Sequence, residues 1–518
     1  MIAFPILSFA AKLPQWALFA PHLGGAIRAD CRLHSLTEAL LYEGRILEGR
    51  IDAMLRFASP RRHPGWLINR NFSLLWMGQA LSDFGDILFE TTLVVWIATG
   101  LAGNRSWAPL AASGVALADA LPFLLVGPLA GVLVDRWEKR YLMLWMDAIR
   151  AGLIALLWLA AAGLFFQWSP GSRLSLFGQL GLIYTIVFFS SVCTQFFGPA
   201  RLALLGQIVA EPDRVRASGL TNAMSQTGVI LALPLAPFLL ESVGAQWALL
   251  INALSFVTSF LFVRAIQPPP VSLQQRTGGQ HFWQEFATGW RFYSRNRVLM
   301  TLLILVVIAV FNGGTINALL IFFLLQNLHG SPILYGPLGL AVGLGGLVGA
   351  AGAAWLARRL GLIRSQFIAL LLMGAAFLAF SRMTRFLPAV ILLACFSIPQ
   401  VVFFVTIGPL LLRVTPEELI GRVYAVLGPA RNLALLIGTA LAGELASSVF
   451  QQVHIQIGGV TFGPIDTIFL GVGILYWAAA LYALLALGLA EPPPVVREEE
   501  QPATEPSSST PRTLGHDQ

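Results

Sequence analysis

Long, largely apolar stretches recur from residue 74 to residue 490, and they constrain the fold more than any other feature of the chain. A membrane-spanning helix needs about 20 mostly apolar residues. Twelve segments qualify: 74–98, 108–134, 141–166, 176–198, 219–241, 246–266, 299–326, 332–357, 366–381, 387–412, 424–449 and 468–490. The ninth is the shortest. Hydrocarbon offers no partner to an open backbone N–H or C=O, so each segment must close its own hydrogen bonds as a helix. The predicted fold class is therefore an all-α polytopic membrane protein with twelve transmembrane helices. Composition agrees, since 11% of residues are charged and 56% hydrophobic, whereas soluble domains carry about 25% charged residues. A water-soluble globule of this composition would expose large apolar patches.

The longest internal connection, 267–298, divides the chain into halves of six spans. It opens with Pro268, Pro269 and Pro270, then alternates aromatic and basic residues from Phe282 to Arg297 at near-helical spacing. That pattern predicts a helix on the membrane surface. The expected organisation is an N-terminal extension over 1–68, partly disordered, a first half over 69–266, a linker over 267–298, a second half over 299–490 and a disordered tail over 491–518. Residues 1–60 hold no convincing span, and translation from Met54 is an alternative start. Of the 33 Lys and Arg residues, only Arg105, Arg173, Arg382 and Arg385 fall in connections on one side. The bias places the other side, with both termini, in the cytoplasm, and a multi-pass protein of the cell (inner) membrane is expected. The net charge of +7 reflects that bias. Nucleic-acid binding is excluded, because its mark would be a clustered basic face. Cys31, Cys193 and Cys395 form no metal or disulfide pattern.

Charges inside a span cost roughly 2.5–3.5 kcal/mol each at the helix centre on insertion scales, so they rank first as functional residues. Gln79, Asp83, Asp86 and Glu90 follow 4-3-4 spacing in the first span, which puts them on one helix face. Burial and like-charged neighbours both favour the protonated form of a carboxyl. This stripe and Asp119 in the second span are therefore the proton-coupling and cavity candidates. Asp147 and Arg150, three apart in the third span, can pair on one helix and read as a structural charge pair near its cytoplasmic end. The second half holds few acids; its polar candidates include Asn312, Thr315, Asn317, Arg431 and Asn432. Gly336, Gly339, Gly343, Gly346 and Gly349 mark close helix approach in the eighth span. No GxxxxGK[ST], HExxH or GxSxG pattern occurs, so neither an enzyme nor a metal or organic cofactor is expected.

The connection between spans two and three reads Gly127-Pro128-Leu129-Ala130-Gly131-Val132-Leu133-Val134-Asp135-Arg136-Trp137-Glu138-Lys139-Arg140. It resembles the loop signature of the major facilitator superfamily, with Glu138 where the family usually has Gly. Asn69-Arg70-Asn71-Phe72, Gly85-Asp86, Phe197-Gly198-Pro199-Ala200-Arg201 and Gly421-Arg422-Val423 are similar to the branch containing the enterobactin exporter and macrolide efflux proteins. The resemblance implies the major facilitator fold and a gating loop formed by Gly131, Asp135, Arg136, Lys139 and Arg140. Asp135 would dock on the N-terminus of span eleven, where the helix carries partial positive charge, with Arg136 and Arg140 holding the carboxylate. The corresponding loop of the second half, residues 352–359, lacks the acid, so the latch would be one-sided.

The resulting expectation is a monomeric secondary transporter in contact with membrane lipids. It would export a small organic molecule of drug, macrolide or siderophore class by alternating access, with the proton gradient as energy source. The alternatives are an importer or lipid transporter of the same fold, or a non-transporting membrane receptor.

Overall fold

In a computed structural model the described residues are 67–103, 105–134, 137–163, 175–267, 282–416, 419–449, 455–457 and 460–488. The N-terminal extension before residue 67, the tail beyond 488, most of the linker and the pair Asp135-Arg136 lie outside them.

Among the described residues, twelve helices are long and apolar enough to cross a membrane. The first half contains α1 (Arg70–Trp96), α2 (Ala108–Leu125) with its short continuation α3 (Gly127–Val134), α4 (Lys139–Ala161), α5 (Leu176–Ile208), α6 (Arg214–Ser242) and α7 (Ala245–Ala265). After the linker helix α8 (Phe282–Arg295), the second half contains α9 (Arg297–Gln326), α10 (Tyr335–Leu360), α11 (Leu362–Phe380), α12 (Phe386–Val414), α13 (Ile420–Glu444) and α14 (Pro464–Leu487). The short ninth segment is a full 19-residue helix, α11. Helix α5 runs ten residues past its apolar segment, through Pro199 to Ile208. A short antiparallel hairpin of β1 (Ile455–Ile457) and β2 (Val460–Phe462) joins α13 to α14, a small exception to an all-helical reading.

The two halves repeat one packing plan. In the first, α1 packs on α6 and α7, α4 on α5 and α7, and α2 on α5. In the second, α9 packs on α13 and α14, α11 on α12 and α14, and α10 on α12. Between the halves, α2 meets α13 and α6 meets α10. These are equivalent pairs once the halves are exchanged.

Start-to-end contacts fix two ends of the bundle. At the linker end, Asn69 caps α1 by accepting from the Phe72 N–H at 2.8 Å and donates to Ile208 O at the close of α5. Asn71 donates to Gln267 O beyond α7, and Arg297 donates to Leu485 O at the close of α14. At the far end, Leu110 N donates to Ser447 Oγ at 3.0 Å and Ile333 N to Glu241 Oε1 at 3.2 Å. Both of these bonds cross between the halves. Closure there continues inward through glycines of α10. A Cβ at Gly336 would lie 2.6 Å from Pro234 Cα, one at Gly339 2.8 Å from Leu233 Cδ1, and one at Gly343 3.0 Å from Ile230 Cγ1. Gly345 and Gly349 instead face α12 within the second half. One glycine-rich helix thus carries two close contacts on two faces.

The interiors of the halves differ. The second is an aromatic core: Phe323 stacks on Phe380 with centroids 4.7 Å apart, Phe377 meets Phe396 edge-on at 4.5 Å, and Phe469 and Tyr476 complete it. Such pairs add about 0.5–1.5 kcal/mol each beyond their burial. Asn312 and Thr315 act there as glue, donating to Val472 O and Gly438 O. The first half holds a buried polar network instead. The linker helix α8 docks on α13, with Gly289 packed on the Arg422 carbonyl and Tyr293 fully buried. Predicted as a surface helix, it packs against the start of span eleven.

Candidate functional site

Between the halves, toward the far end, lies a cavity of about 310 Å³. Its walls come from α1 (Ile87, Glu90), α2 (Ser113, Asp119), α6 (Leu233), α9 (Asn317), α10 (Tyr335) and α13 (Leu435, Thr439). The site is concave, mostly apolar and furnished with a few convergent polar groups. Small-molecule sites share these traits, though their volumes usually run from about 300 to 1,000 Å³. Glu90 and Asp119 are both exposed to it, and they are close enough for their charges to act on one another. The lining contains no Lys, Arg or His.

The four polar residues predicted on one face of α1 do lie along one stripe, but they meet different partners as the helix rises. Gln79 is buried and donates to Ser259 Oγ at 3.2 Å, while its Oε1 accepts from Arg201 at 3.1 Å. Asp83 is half-buried; it accepts from Ser225 Oγ at 2.9 Å and lies 3.8 Å from the Arg201 guanidinium. Asp86 sits beside the Asn252 amide and within electrostatic reach of Arg150. Gly85 makes that approach possible, since a Cβ there would lie 2.7 Å from Asn252 Oδ1 and 2.5 Å from Ser255 Oγ. Glu90, a turn further on, enters the cavity. The stripe is therefore divided: Gln79 and Asp83 have basic or hydroxyl partners, whereas Glu90 faces open space with Asp119.

Asp147 and Arg150 form the expected pair, Nη2 to Oδ1 at 2.5 Å. They are not near a helix end. They occupy the ninth and twelfth positions of the 23-residue α4 and are 0% and 3% exposed. The guanidinium is held between the rings of Phe197 and Phe256, 4.4 and 4.3 Å from their centroids.

Of the gating-loop residues, Asp135 and Arg136 fall outside the described residues, and Gly131 lies within α3. Lys139 donates to Val134 O at 2.5 Å. Arg140 donates to Val263 O at 3.3 Å and Arg264 O at 2.5 Å, so it caps the C-terminus of α7, where a cation is favoured.

Sequence reasoning did not single out Ser113, Tyr335 or Thr439 for the cavity. It also missed Ser259 and Ser225 as partners of the stripe. Hydroxyls in apolar runs are common and gave no signal by themselves. Arg431 is exposed midway along α13, with its guanidinium 5.8 Å from the Phe404 ring. Among the described residues, no group of three or more His, Cys, Asp and Glu could hold a metal ion.

The family model described as the Major Facilitator Superfamily matches residues 75–439. The chain belongs to that superfamily. It is 24% identical to macrolide efflux protein A of Streptococcus pyogenes over 389 residues, covering 73% of this chain and 90% of that protein. It is 25% identical over 255 residues to the uncharacterised transporter YkuC of Bacillus subtilis, covering 48% of this chain and 55% of that one. In fold it is similar to a crystal structure of a mutant nucleoside transporter NupG, with a TM-score of 0.62 and 12% identity, covering 80% of this chain and 100% of that one. As a superfamily member with twelve membrane-crossing helices, this chain is a multi-pass membrane transporter.

Proposed function

We propose that this transporter is a proton-coupled exporter of an amine-bearing small organic molecule, working by alternating access with Glu90 and Asp119 in the cavity between its halves. The observation that carries the reading is the cavity itself. Two carboxylates open into a largely apolar space between the halves, and its lining holds no cation. An ionised acid in such a space is costly without a counter-charge. A proton or a positively charged substrate can each supply that charge, and the two exclude one another. Cation binding displaces protons on one side; protonation on the other side displaces the cation. That exchange is antiport. The similarity to a macrolide efflux protein supports the export direction, and the negative site favours a basic drug over an anionic siderophore.

The halves meet at the far end through Leu110, Ser447, Ile333 and Glu241. With both termini cytoplasmic, closure at that end supports an inward-facing state of a monomer in the cell membrane. Asp135, docking on the start of α13, would then latch the opposite state.

The test uses inverted membrane vesicles and a panel of matched basic, neutral and anionic compounds, with and without a proton gradient. Gradient-dependent uptake of basic compounds is expected. Glu90→Gln and Asp119→Asn should each abolish it while the protein still purifies as a folded species. Full gradient-driven uptake by the double variant would overturn the assignment.

A further inference from the structure

The buried charges of the first half do not balance. Asp147 gives one oxygen to Arg150 at 2.5 Å and accepts from Ser259 Oγ with the other at 2.7 Å. Ser259 in turn accepts from Gln79, Gln79 accepts from Arg201, and Arg201 faces Asp83, which accepts from Ser225. Five helices (α1, α4, α5, α6 and α7) are joined through this chain. Within it and beside it stand two cations, Arg150 and Arg201, and three carboxyls, Asp83, Asp86 and Asp147. Arg201 serves Asp83. That leaves Asp86 and Asp147 with one cation between them.

The ionisable groups facing Asp86 are Arg150 from α4, Asp119 from α2, and Asp83 and Glu90 from its own helix. The spanning parts of α6 and α7 bring none; α7 offers Asn252, whose Nδ2 is buried without a hydrogen-bond partner. Among the described residues, Arg150 is therefore the one cation whose charge acts on Asp86. Its geometry suits a movable partner. The guanidinium lies between two aromatic faces, which hold a cation without fixing the direction of its N–H groups. Its Nε is buried and unpartnered. Nη2 is thus committed to Asp147, while Nε is a donor in waiting.

We propose that Arg150 is a counter-ion shared by Asp147 and Asp86: it is held by Asp147 while Asp86 carries a proton, and turns to Asp86 when that proton leaves. The step balances simply. The Asp86 proton departs to solvent, the new carboxylate takes the Nε–H of Arg150, and Asp147 keeps the Ser259 hydroxyl and a share of the guanidinium, so that one cation then faces two carboxylates. The turn pulls on Ser259 and so on Gln79 and Arg201. A charge switch next to the cavity acids is thereby tied to the linker end of the same half. Arg150 acts here as a positioning residue. The inference concerns the empty protein and does not depend on what is transported.

The test needs no substrate. Asp86→Asn, Asp147→Asn and the double variant are purified in detergent and followed by size-exclusion profile on heating. A shared counter-ion leaves every single variant with one partner for Arg150, so both singles keep the monodisperse peak. The double strands the arginine and loses that peak, and adding Arg150→Leu to the double restores it. If Asp147→Asn alone loses the peak as completely as the double, Arg150 belongs to Asp147 only and the proposal falls. It also falls if the double is as stable as either single. Infrared spectroscopy supplies a readout that a purely structural pair would not move. The protonated-carboxyl band removed by Asp86→Asn should also vanish in Asp147→Asn, where Arg150 is freed to hold Asp86 ionised. Persistence of that band in Asp147→Asn overturns the sharing.

Discussion

Replacing Gly336 with alanine should open the far end. The added Cβ would lie 2.6 Å from Pro234 Cα, about 1 Å inside the ~3.5–4.0 Å at which carbon atoms rest. The obstacle is backbone, so no side-chain rotation relieves it. Overpacking of this kind costs roughly 1–3 kcal/mol. The cost falls only on the state in which α10 touches α6, because the two helices belong to different halves. A two-state equilibrium biased by that amount shifts by roughly 5- to 150-fold. Spin labels at exposed Ser106 and Thr384 would report it, in a background with Cys31, Cys193 and Cys395 replaced. Their distance distribution should gain a longer component in Gly336→Ala. Gly349→Ala is the control: its Cβ would meet Ile398 O at 2.5 Å, but inside the second half. It should lower the melting temperature and leave the distribution alone. Superimposable distributions for Gly336→Ala and the parent protein would refute the reasoning.

Two further substitutions probe the supports of the second half. Gly289→Val drives a side chain into the Arg422 carbonyl and should lift α8 from α13; a cysteine placed at Tyr293, buried in the parent, should then react faster with a maleimide. Asp466→Ala removes the acceptor for the Gly463 N–H, for Asn327 and for Arg382 at the start of α14. Loss of a helix-start partner costs about 1 kcal/mol, so the melting temperature should fall, while Asp466→Asn should recover part of the loss.

What the sequence made legible follows from the reach of each signal. Apolar runs report the solvent directly, so all twelve spans could be read off. Their ends were less secure, because helices continue into polar surroundings: α5 keeps its hydrogen bonds through Arg201 to Ile208, where hydropathy has already fallen. Spacing placed Gln79, Asp83, Asp86 and Glu90 on one stripe, since a helix is periodic. It could not say what they face. Ser225 is 142 residues from Asp83 and Ser259 is 180 from Gln79, distances over which only packing decides. The same limit explains Asp147 and Arg150. Their i,i+3 spacing predicts the pair, but only the phenylalanines of α5 and α7 turn it into a sandwiched, fully buried one. The glycines of α10 announced close approach, yet their division between a neighbour in the same half and one in the other half depends on helix rotation.

The phenylalanine-filled interior of the second half has a practical consequence. Nested rings respond to neither acidity nor voltage, so that core is free to drift in shape without disturbing the buried charges of the other half. Hybrids that keep residues 69–266 and borrow the rest from a relative should keep the preference set by Glu90 and Asp119 and change only the apolar wall of the cavity.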